Sequence, residues 1–251
     1  MEFIALSWVP VEVNVLKYNF LMLCLLFWIP AVLAYVSRPD LRRAMRLAAL
    51  CSLPFAFSEF LFYSDYWAPT FLFHLGDRLG FGIEDFLFVS ALAANAVSIY
   101  GVLNSRTYAP QDAQVSPGTP LKRVASILAL VLVLVVFAMK LSIPMIYGCI
   151  AIMTLISAAL MVLRRDLFLP ALISGVGLAV CYWILAAIYG WLYPGVFLTI
   201  WHTQAFLNVF LLGVPVEEIL YGATSGVAAV VFYAYAFGQR FVPLKEARKI
   251  L

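Results

Sequence analysis

The sequence predicts an all-α integral membrane protein with about seven transmembrane helices. The chain of 251 residues is 65% hydrophobic and only 12% charged, with a mean hydropathy of +1.00. A soluble domain is about 45–50% apolar and about 25% charged. Because a segment in lipid must satisfy its own backbone hydrogen bonds, the apolar runs are expected to be helices.

Seven apolar runs approach the length of roughly 20 residues that crosses a bilayer as a helix. With the N-terminus outside and the C-terminus inside, only Lys17, Arg78 and Lys140 of the sixteen basic residues lie on the outer side. This asymmetry is what the positive-inside rule requires. The runs cover about residues 18–36, 44–63, 82–103, 121–141, 143–163, 167–189 and 216–238.

One further apolar stretch, 191–212, is interpreted as interfacial or re-entrant. It contains Pro194, Gly195 and His202, and a crossing there would place the four basic residues of the C-terminal tail outside. The stretch 65–81 in the first half has a similar composition, and its aromatic residues suit the headgroup zone. The segment 108–120, rich in Pro, Gln, Ser and Gly, is predicted to be a polar loop.

Landmarks that recur in the same order predict an internal repeat. Residues 37–42 resemble 163–168, Trp67 resembles Trp191, and an acidic pair follows each tryptophan. Since an extra helix separates the copies, we expect them to be parallel, with both acidic pairs near the outer face. The predicted parts are a single membrane domain (1–251), a first repeat of helices 1–3 (18–103), a polar loop and joining helix 4 (104–141), a second repeat of helices 5–7 (143–238), and a cytoplasmic tail (239–251).

The two acidic pairs are the leading candidates for function. Glu84-Asp85 and Glu217-Glu218 each open an apolar run, and ionisable groups at the edge of hydrocarbon are functional candidates by default. Pro215 fits the first turn of the last helix. Neighbouring residues on a helix point about 100° apart, so we expect one acid of each pair to face the bundle interior.

Residues that share a helix face with these acids extend the candidate site. Glu84 aligns with Phe88 and Asn95, and Glu217 aligns with Tyr221. Asn95 fits a helix tie as well as a substrate contact. Glu59, near the outer end of helix 2, fits either an interfacial acid or a site residue. The candidates for aromatic groups that stabilise a cation are Tyr66, Trp67, Phe88 and Tyr221.

Two effects compete over protons at the acidic pairs. A helix N-terminus favours the carboxylate, whereas burial and nearby like charge favour the protonated acid. If the pairs are desolvated, the second effect is the larger, and at least one carboxyl is protonated near neutral pH. Such a group resembles a general acid beside an apolar cavity. The alternative is that each pair is only a helix cap or a topology marker.

Several chemistries lack their sequence signals. The four cysteines are isolated in apolar runs, and two histidines are too few for a histidine-rich di-iron site, so no metal site is predicted. No phosphate loop or dinucleotide fingerprint is present. No Asp-rich pair for magnesium diphosphate is found, and no basic aromatic face for nucleic acid.

The acidic motifs resemble those of a known family. Pro215-Val-Glu217-Glu218, with Gly82-Ile-Glu84-Asp85-Phe-Leu-Phe88, is similar to the Pro-x-Glu-Glu motifs of the lycopene cyclase domain. This domain occurs in fungal bifunctional and in bacterial and archaeal heterodimeric or fused membrane carotenoid cyclases. The resemblance covers about 38–103 and 164–238. The first motif has Gly82 in place of proline and Asp85 in place of the second glutamate.

The resemblance implies a proton-initiated ring closure on a linear polyene, without net redox change and without a cofactor. It implies catalytic roles for Glu217, Glu218, Glu84 and Asp85, with Pro215 shaping the turn. The implied partners are an apolar polyene or isoprenoid substrate, the lipid bilayer and other carotenoid-pathway enzymes, with no nucleic acid. The implied location is the inner membrane of a bacterial or archaeal cell.

Two other functions fit the same residues. One is a non-catalytic carotenoid- or lipid-binding membrane protein, which predicts bound pigment without turnover. The other is a proton-coupled transporter, which predicts flux that depends on a pH gradient. The middles of the predicted helices carry almost no charge, which argues against a transporter.

Overall fold

The computed structural model describes residues 18–111 and 118–247. Predictions that fall on Lys17, on the middle of the polar loop at 112–117, and on Arg248 and Lys249 of the tail therefore lie outside the described residues. Within the described part, the secondary structure is predominantly helical, and the strands are short.

The predicted spans are confirmed. Within residues 18–111 and 118–247, seven helical stretches are long and apolar enough to cross a membrane, which confirms an all-α integral membrane protein. The α-helices are α1 (Asn19–Ser37), α2 (Arg42–Ser52), α3 (Leu75–Leu79), α4 (Ile83–Asn104), α5 (Pro120–Lys140), α6 (Met145–Leu163), α7 (Phe168–Leu192), α8 (Val196–Thr199), α9 (Val216–Ala236) and α10 (Leu244–Ala247). The strands are β1 (Arg106–Pro110), β2 (Phe210–Leu211), β3 (Val214–Pro215) and β4 (Gln239–Pro243).

The second span is not a uniform α-helix. It begins as α2 and continues as a 3₁₀-helix, Leu53–Leu61. Pro54 accounts for the change, because it lacks an N–H group and its ring conflicts with the carbonyl of residue 50 in α-geometry. A 3₁₀-helix has three residues per turn. Ala56, Glu59 and Phe62 therefore fall on one side, and all three line the pocket described below.

The helices α4 and α9, which carry the acidic pairs, form the centre of the bundle. In their membrane windows 61% and 50% of residues are buried, against at most 33% in the other five spans. The α4 helix packs against α1, α2, α7 and α9, and the α9 helix packs also against α5, α6 and α7. Glycines allow the close approach of α9 to α7, because Gly222 and Gly226 of α9 contact Tyr182 and Ser174 of α7.

A two-stranded ribbon joins the other ends of these central helices. Strand β1 follows α4 and pairs antiparallel with β4, which follows α9. Since the starts of α4 and α9 also meet at one pocket, the two helices run parallel. Two similar ion pairs, Arg38 with Asp40 and Arg164 with Asp166, flank the ribbon. In each pair the Nη2–Oδ2 distance is 2.7 Å.

Each of these arginines also bonds to the ribbon. The Arg38 guanidinium donates to the carbonyl of Arg106 in β1, and the Arg164 guanidinium donates to the carbonyl of Gln239 in β4. The matching arrangements support the predicted repeat of two parallel copies. The repeat and the orientation of the chain across the membrane stay predictions.

The two interfacial stretches meet above the bundle. Within 191–212 the structure has the end of α7, the short α8, a 3₁₀ turn and strand β2, and no spanning helix. An antiparallel backbone bridge joins Trp67 to Trp201, and the centroids of their rings are 4.9 Å apart. Trp191, which the sequence comparison matched to Trp67, is instead 78% exposed. Trp201 therefore takes the position opposite Trp67, because α7 continues past Trp191 before the chain turns back.

Candidate active site

Three carboxyl groups from three different elements line one pocket of about 570 Å³. Glu59 comes from the 3₁₀-helix, Asp85 from the first turn of α4, and Glu218 from the first turn of α9. We call this the acid pocket. Its walls also contain the aromatic residues that the sequence indicates, which are Tyr66, Trp67, Phe88 and Tyr221.

Glu218 is held by three side-chain donors. Its Oε1 accepts hydrogen bonds from the Tyr66 hydroxyl at 2.8 Å and from the Trp201 indole N–H at 2.9 Å. Its Oε2 accepts from the Tyr182 hydroxyl. Donors of this kind stabilise the carboxylate, while burial opposes it. The side chain is only 6% exposed, so its orientation is set by these contacts.

The Tyr66 hydroxyl is a hydrogen-bond donor to Glu218. Burial, and next the negative charge of Glu218, raise the pKa of the Tyr66 phenol well above its ordinary value. The phenol therefore keeps its proton, which it donates to the Glu218 carboxylate. Tyr66 lies outside the membrane-spanning helices, in the segment that leads to Trp67.

Glu59 and Asp85 are each anchored through one oxygen. The Trp67 indole N–H donates to Glu59 Oε1 at 2.5 Å, and the backbone N–H of Gly82 donates to Asp85 Oδ2 at 2.7 Å. Asp85 and Glu218 line the same pocket as Glu59.

None of the three carboxyl groups has a cationic partner among residues 18–111 and 118–247. The donors to these three carboxyl groups are instead neutral N–H and O–H groups. No three His, Cys, Asp or Glu side chains in the described parts of the chain are placed to hold a metal ion.

The first acid of each pair does not line the acid pocket. Glu84 Oε1 accepts a hydrogen bond from the backbone N–H of Leu72 at 2.7 Å. Glu217 Oε1 accepts from the backbone N–H of Leu207 at 3.0 Å and from the Tyr147 hydroxyl at 3.1 Å. Each of these acids therefore holds the loop that precedes its helix, and both are almost fully buried, at 1% and 0% exposure.

Neighbouring residues on a helix point about 100° apart, which accounts for the different positions of the two acids in each pair. This angle also changes which residues share a face. Tyr221 lines the acid pocket with Glu218 rather than with Glu217, and Phe88 lines it with Asp85 rather than with Glu84. These partners are three residues apart instead of four, which is equally compatible with one helix face.

Two other expected site residues lie elsewhere. Asn95 is 3% exposed and its Nδ2 donates to the carbonyl of Phe27 at 2.8 Å, so it ties α4 to α1 and does not line the acid pocket. Pro215 ends strand β3 directly before α9, one residue earlier than the first turn of the helix. Its φ of −58° suits this approach to a helix.

Gly82 occupies the position before the first acidic pair for a steric reason. A Cβ atom there would overlap the Phe71 ring and would lie 2.7 Å from Glu84 Oε2. Because Phe71 packs against Phe20 and Tyr63, it has no free space to move into. The close packing explains why this motif has glycine where the second motif has proline.

Several pocket residues were not found from the sequence. Tyr182 and Trp201 bond to Glu218, and Phe55, Ser58 and Phe62 line the pocket wall. A usable signal exists only for Tyr182, because a tyrosine in the middle of an apolar helix needs a hydrogen-bond partner.

The second half of the chain matches a family of known proteins. Residues 144–236 match the family model described as lycopene cyclase. The match supports assignment to the lycopene cyclase domain family. It includes α6, α7 and α9, with Tyr182 and the pair Glu217-Glu218, and it supports a carotenoid-cyclase type of function in general. No curated protein and no solved structure matches the chain.

Proposed function

We propose that this protein is a membrane cyclase that closes a six-membered ring on the end group of a linear polyene. The observation that carries the proposal is the acid pocket, where Glu59, Asp85 and Glu218 face one apolar and aromatic chamber inside the bundle. The family match over residues 144–236 supports the same class of reaction. An uncharged polyene dissolves in lipid, so a site within the membrane suits it.

The proposed reaction conserves atoms and electrons. The O–H bond of a carboxylic acid breaks as its proton forms a C–H bond on an end-group alkene, which leaves a cation on the adjacent carbon. The π electrons of a neighbouring alkene then form the ring C–C bond and move the cation into the ring. Loss of a ring proton to a carboxylate restores the double bond, so the product is an isomer of the substrate.

We assign the proton donor to Glu59. Asp85 and Glu218 lie in the first turns of helices, where the helix dipole and N–H or O–H donors favour the carboxylate. Glu59 instead lies near the C-terminal end of the 3₁₀-helix and has one neutral donor, the Trp67 indole. Neighbouring negative charge further favours a protonated Glu59.

We assign the proton acceptor to Glu218. Its three donors hold a carboxylate in one orientation, and a negative charge there stabilises the cation on the substrate. Asp85 lines the same pocket as a third acid. The rings of Trp67, Phe88 and Tyr221 add apolar walls whose π faces attract a cation.

The first acids of the pairs are assigned a positioning role. Glu84 and Glu217 hold the backbones of Leu72 and Leu207, and these contacts set the loops that carry Trp67 and Trp201 above the pocket. Glutamine in place of either acid keeps a carbonyl oxygen that accepts the same N–H bond.

This difference defines the test in bacteria that accumulate lycopene. Glu59→Gln and Glu218→Gln are expected to lower ring formation by about 10² or more, the usual effect of removing a general acid or base. The matched controls Glu84→Gln and Glu217→Gln should retain most activity. Pigment analysis measures the ring content, normalised to the amount of folded protein.

The outcomes separate the candidate functions. Full activity of Glu59→Gln would contradict its role as the donor, and equal loss in all four variants would contradict the division of roles. Wild-type protein that retains unmodified polyene without forming rings would instead indicate a non-catalytic carotenoid-binding protein.

A further inference from the structure

We propose that a continuous apolar groove beyond the acid pocket holds the remaining length of the polyene, so that only one end of the molecule reacts at a time. We call this the polyene groove. The proposal rests on the proposed cyclase function and adds the shape of its substrate.

Shared lining residues support a groove that continues from the acid pocket. Phe55, Ser58, Phe62, Val89 and Tyr221 border both the acid pocket and a second cavity of about 840 Å³. The second cavity in turn meets a third cavity of about 540 Å³, and the residues that line both are Phe55, Ala93, Ala229 and Phe232.

The groove runs along the helices rather than across them. On α9 its lining continues from Glu218 through Ser225 and Ala229 to Ala236, at the three- and four-residue spacing of one helix face. The 18 residues from Glu218 to Ala236 rise about 27 Å, at about 1.5 Å per residue. This is nearly the roughly 30 Å thickness of the bilayer hydrocarbon.

The lining chemistry selects an uncharged chain. Side chains around the second and third cavities are aliphatic, aromatic or small, and no Asp, Glu, Lys or Arg of the described residues lines either of them. At the other end of the groove, the three carboxyl groups of the acid pocket would repel a phosphate or carboxylate head group. A long linear hydrocarbon, which has no charged group to place beside the acids, therefore fits this end of the groove.

A groove of this form has a consequence for the product. Only one end group reaches Glu59 and Glu218 while the rest of the chain fills the groove. A second ring on the same molecule requires release and reversed binding. We therefore expect a product with one ring to form before any product with two.

The test uses a substitution that narrows the groove at a position far from the three acids. Ala229 lies 11 residues beyond Glu218, about 16 Å along α9. Ala229→Phe is expected to lower ring formation on lycopene by about tenfold or more, as overpacking excludes the chain. A truncated polyene that has the same end group but is too short to reach Ala229 should be cyclised by this variant as fast as by the wild type. Ala129→Phe, on an exposed face of α5, is the matched control. It should leave ring formation unchanged on both lycopene and the truncated polyene.

If Ala229→Phe lowers ring formation equally on lycopene and on the truncated polyene, or on neither, the groove assignment is wrong. Ring formation by the wild type would still support the proposed function. If the wild type forms no ring, the proposed function fails. The groove is then tested by the amount of lycopene that the purified protein retains. Retention that falls in Ala229→Phe but not in Ala129→Phe supports it. Equal retention in both variants, or a phospholipid bound in place of lycopene, overturns it.

Discussion

At the scale of single residues, the orientation of the Glu218 carboxylate depends on donors from three segments. Tyr66 precedes α3, Tyr182 lies on α7, and Trp201 follows α8. Hydrogen bonds to a charged group contribute about 1.5–3 kcal/mol each. Removal of one donor leaves the carboxylate in place but reduces its stabilisation.

The corresponding prediction concerns Tyr182. Tyr182→Phe keeps the ring and removes the hydroxyl that donates to Glu218 Oε2, so ring formation should fall by about tenfold or more. The expression level should be close to that of the wild type. Tyr189→Phe is the control, because Tyr189 is equally buried on α7 but does not line the acid pocket. An equal loss of activity per folded molecule in both variants would contradict the role of Tyr182.

At the scale of elements, the close contact of α7 with α9 determines where Glu218 and Tyr182 meet. Gly222 lies against the Tyr182 side chain, and Gly226 lies against the backbone of Ser174 and Gly175. Helices in lipid associate through such small residues, since no hydrophobic effect draws them together. The Gly-x-x-x-Gly spacing therefore contributes to the site although neither glycine touches a substrate.

We predict that Gly226→Ala destabilises the protein. A Cβ there would lie 2.7 Å from the Ser174 carbonyl oxygen and 2.9 Å from the Gly175 Cα, which are backbone atoms that cannot move independently. Overpacking of this kind costs about 1–3 kcal/mol. The free energy of unfolding in detergent micelles measures the effect.

The matched control for this variant is Gly148→Ala on α6. The nearest atom to a Cβ at Gly148 is 3.5 Å away, an ordinary contact. Since alanine favours a helix over glycine by about 1 kcal/mol, this variant should be as stable as the wild type or more stable. The contact assignment fails if Gly226→Ala behaves in the same way.

At the scale of the whole molecule, both ends of the parallel pair α4 and α9 are joined. The acid pocket lies at one end and the β1–β4 ribbon lies at the other. Arg38 and Arg164 each connect a helix junction to the ribbon. The similar arrangement in the two halves is what we expect of an internal repeat, and we propose that the two copies share one site at their interface.

We predict that Arg164→Met lowers the free energy of unfolding. The Arg164 side chain is buried, and its guanidinium donates to Asp166 and to the carbonyl of Gln239. Loss of a hydrogen bond from a charged group costs about 1.5–3 kcal/mol. Arg165→Met, at the exposed neighbouring position, is the control for thermal unfolding in detergent. Equal unfolding temperatures of the two variants would contradict a structural role of Arg164.

The sequence by itself determined the class of the protein, its seven spans and the acidic pairs at the starts of two of them. These features are local, because hydropathy over about 20 residues decides whether a segment enters lipid. The same local signals predicted that 191–212 does not span, and the structure agrees. They also indicated the aromatic residues Tyr66, Trp67, Phe88 and Tyr221, which surround the acid pocket.

Only the tertiary structure decided which acid of each pair enters the pocket and which residues orient it. Tyr66 and Glu218 are 152 positions apart in the chain, and Tyr182 lies 36 positions before Glu218. Their meeting depends on the rotation of each helix about its axis, which small residues at helix contacts determine and no local pattern encodes. The same rotation places Asn95 in a helix contact and opens the groove past Ala229.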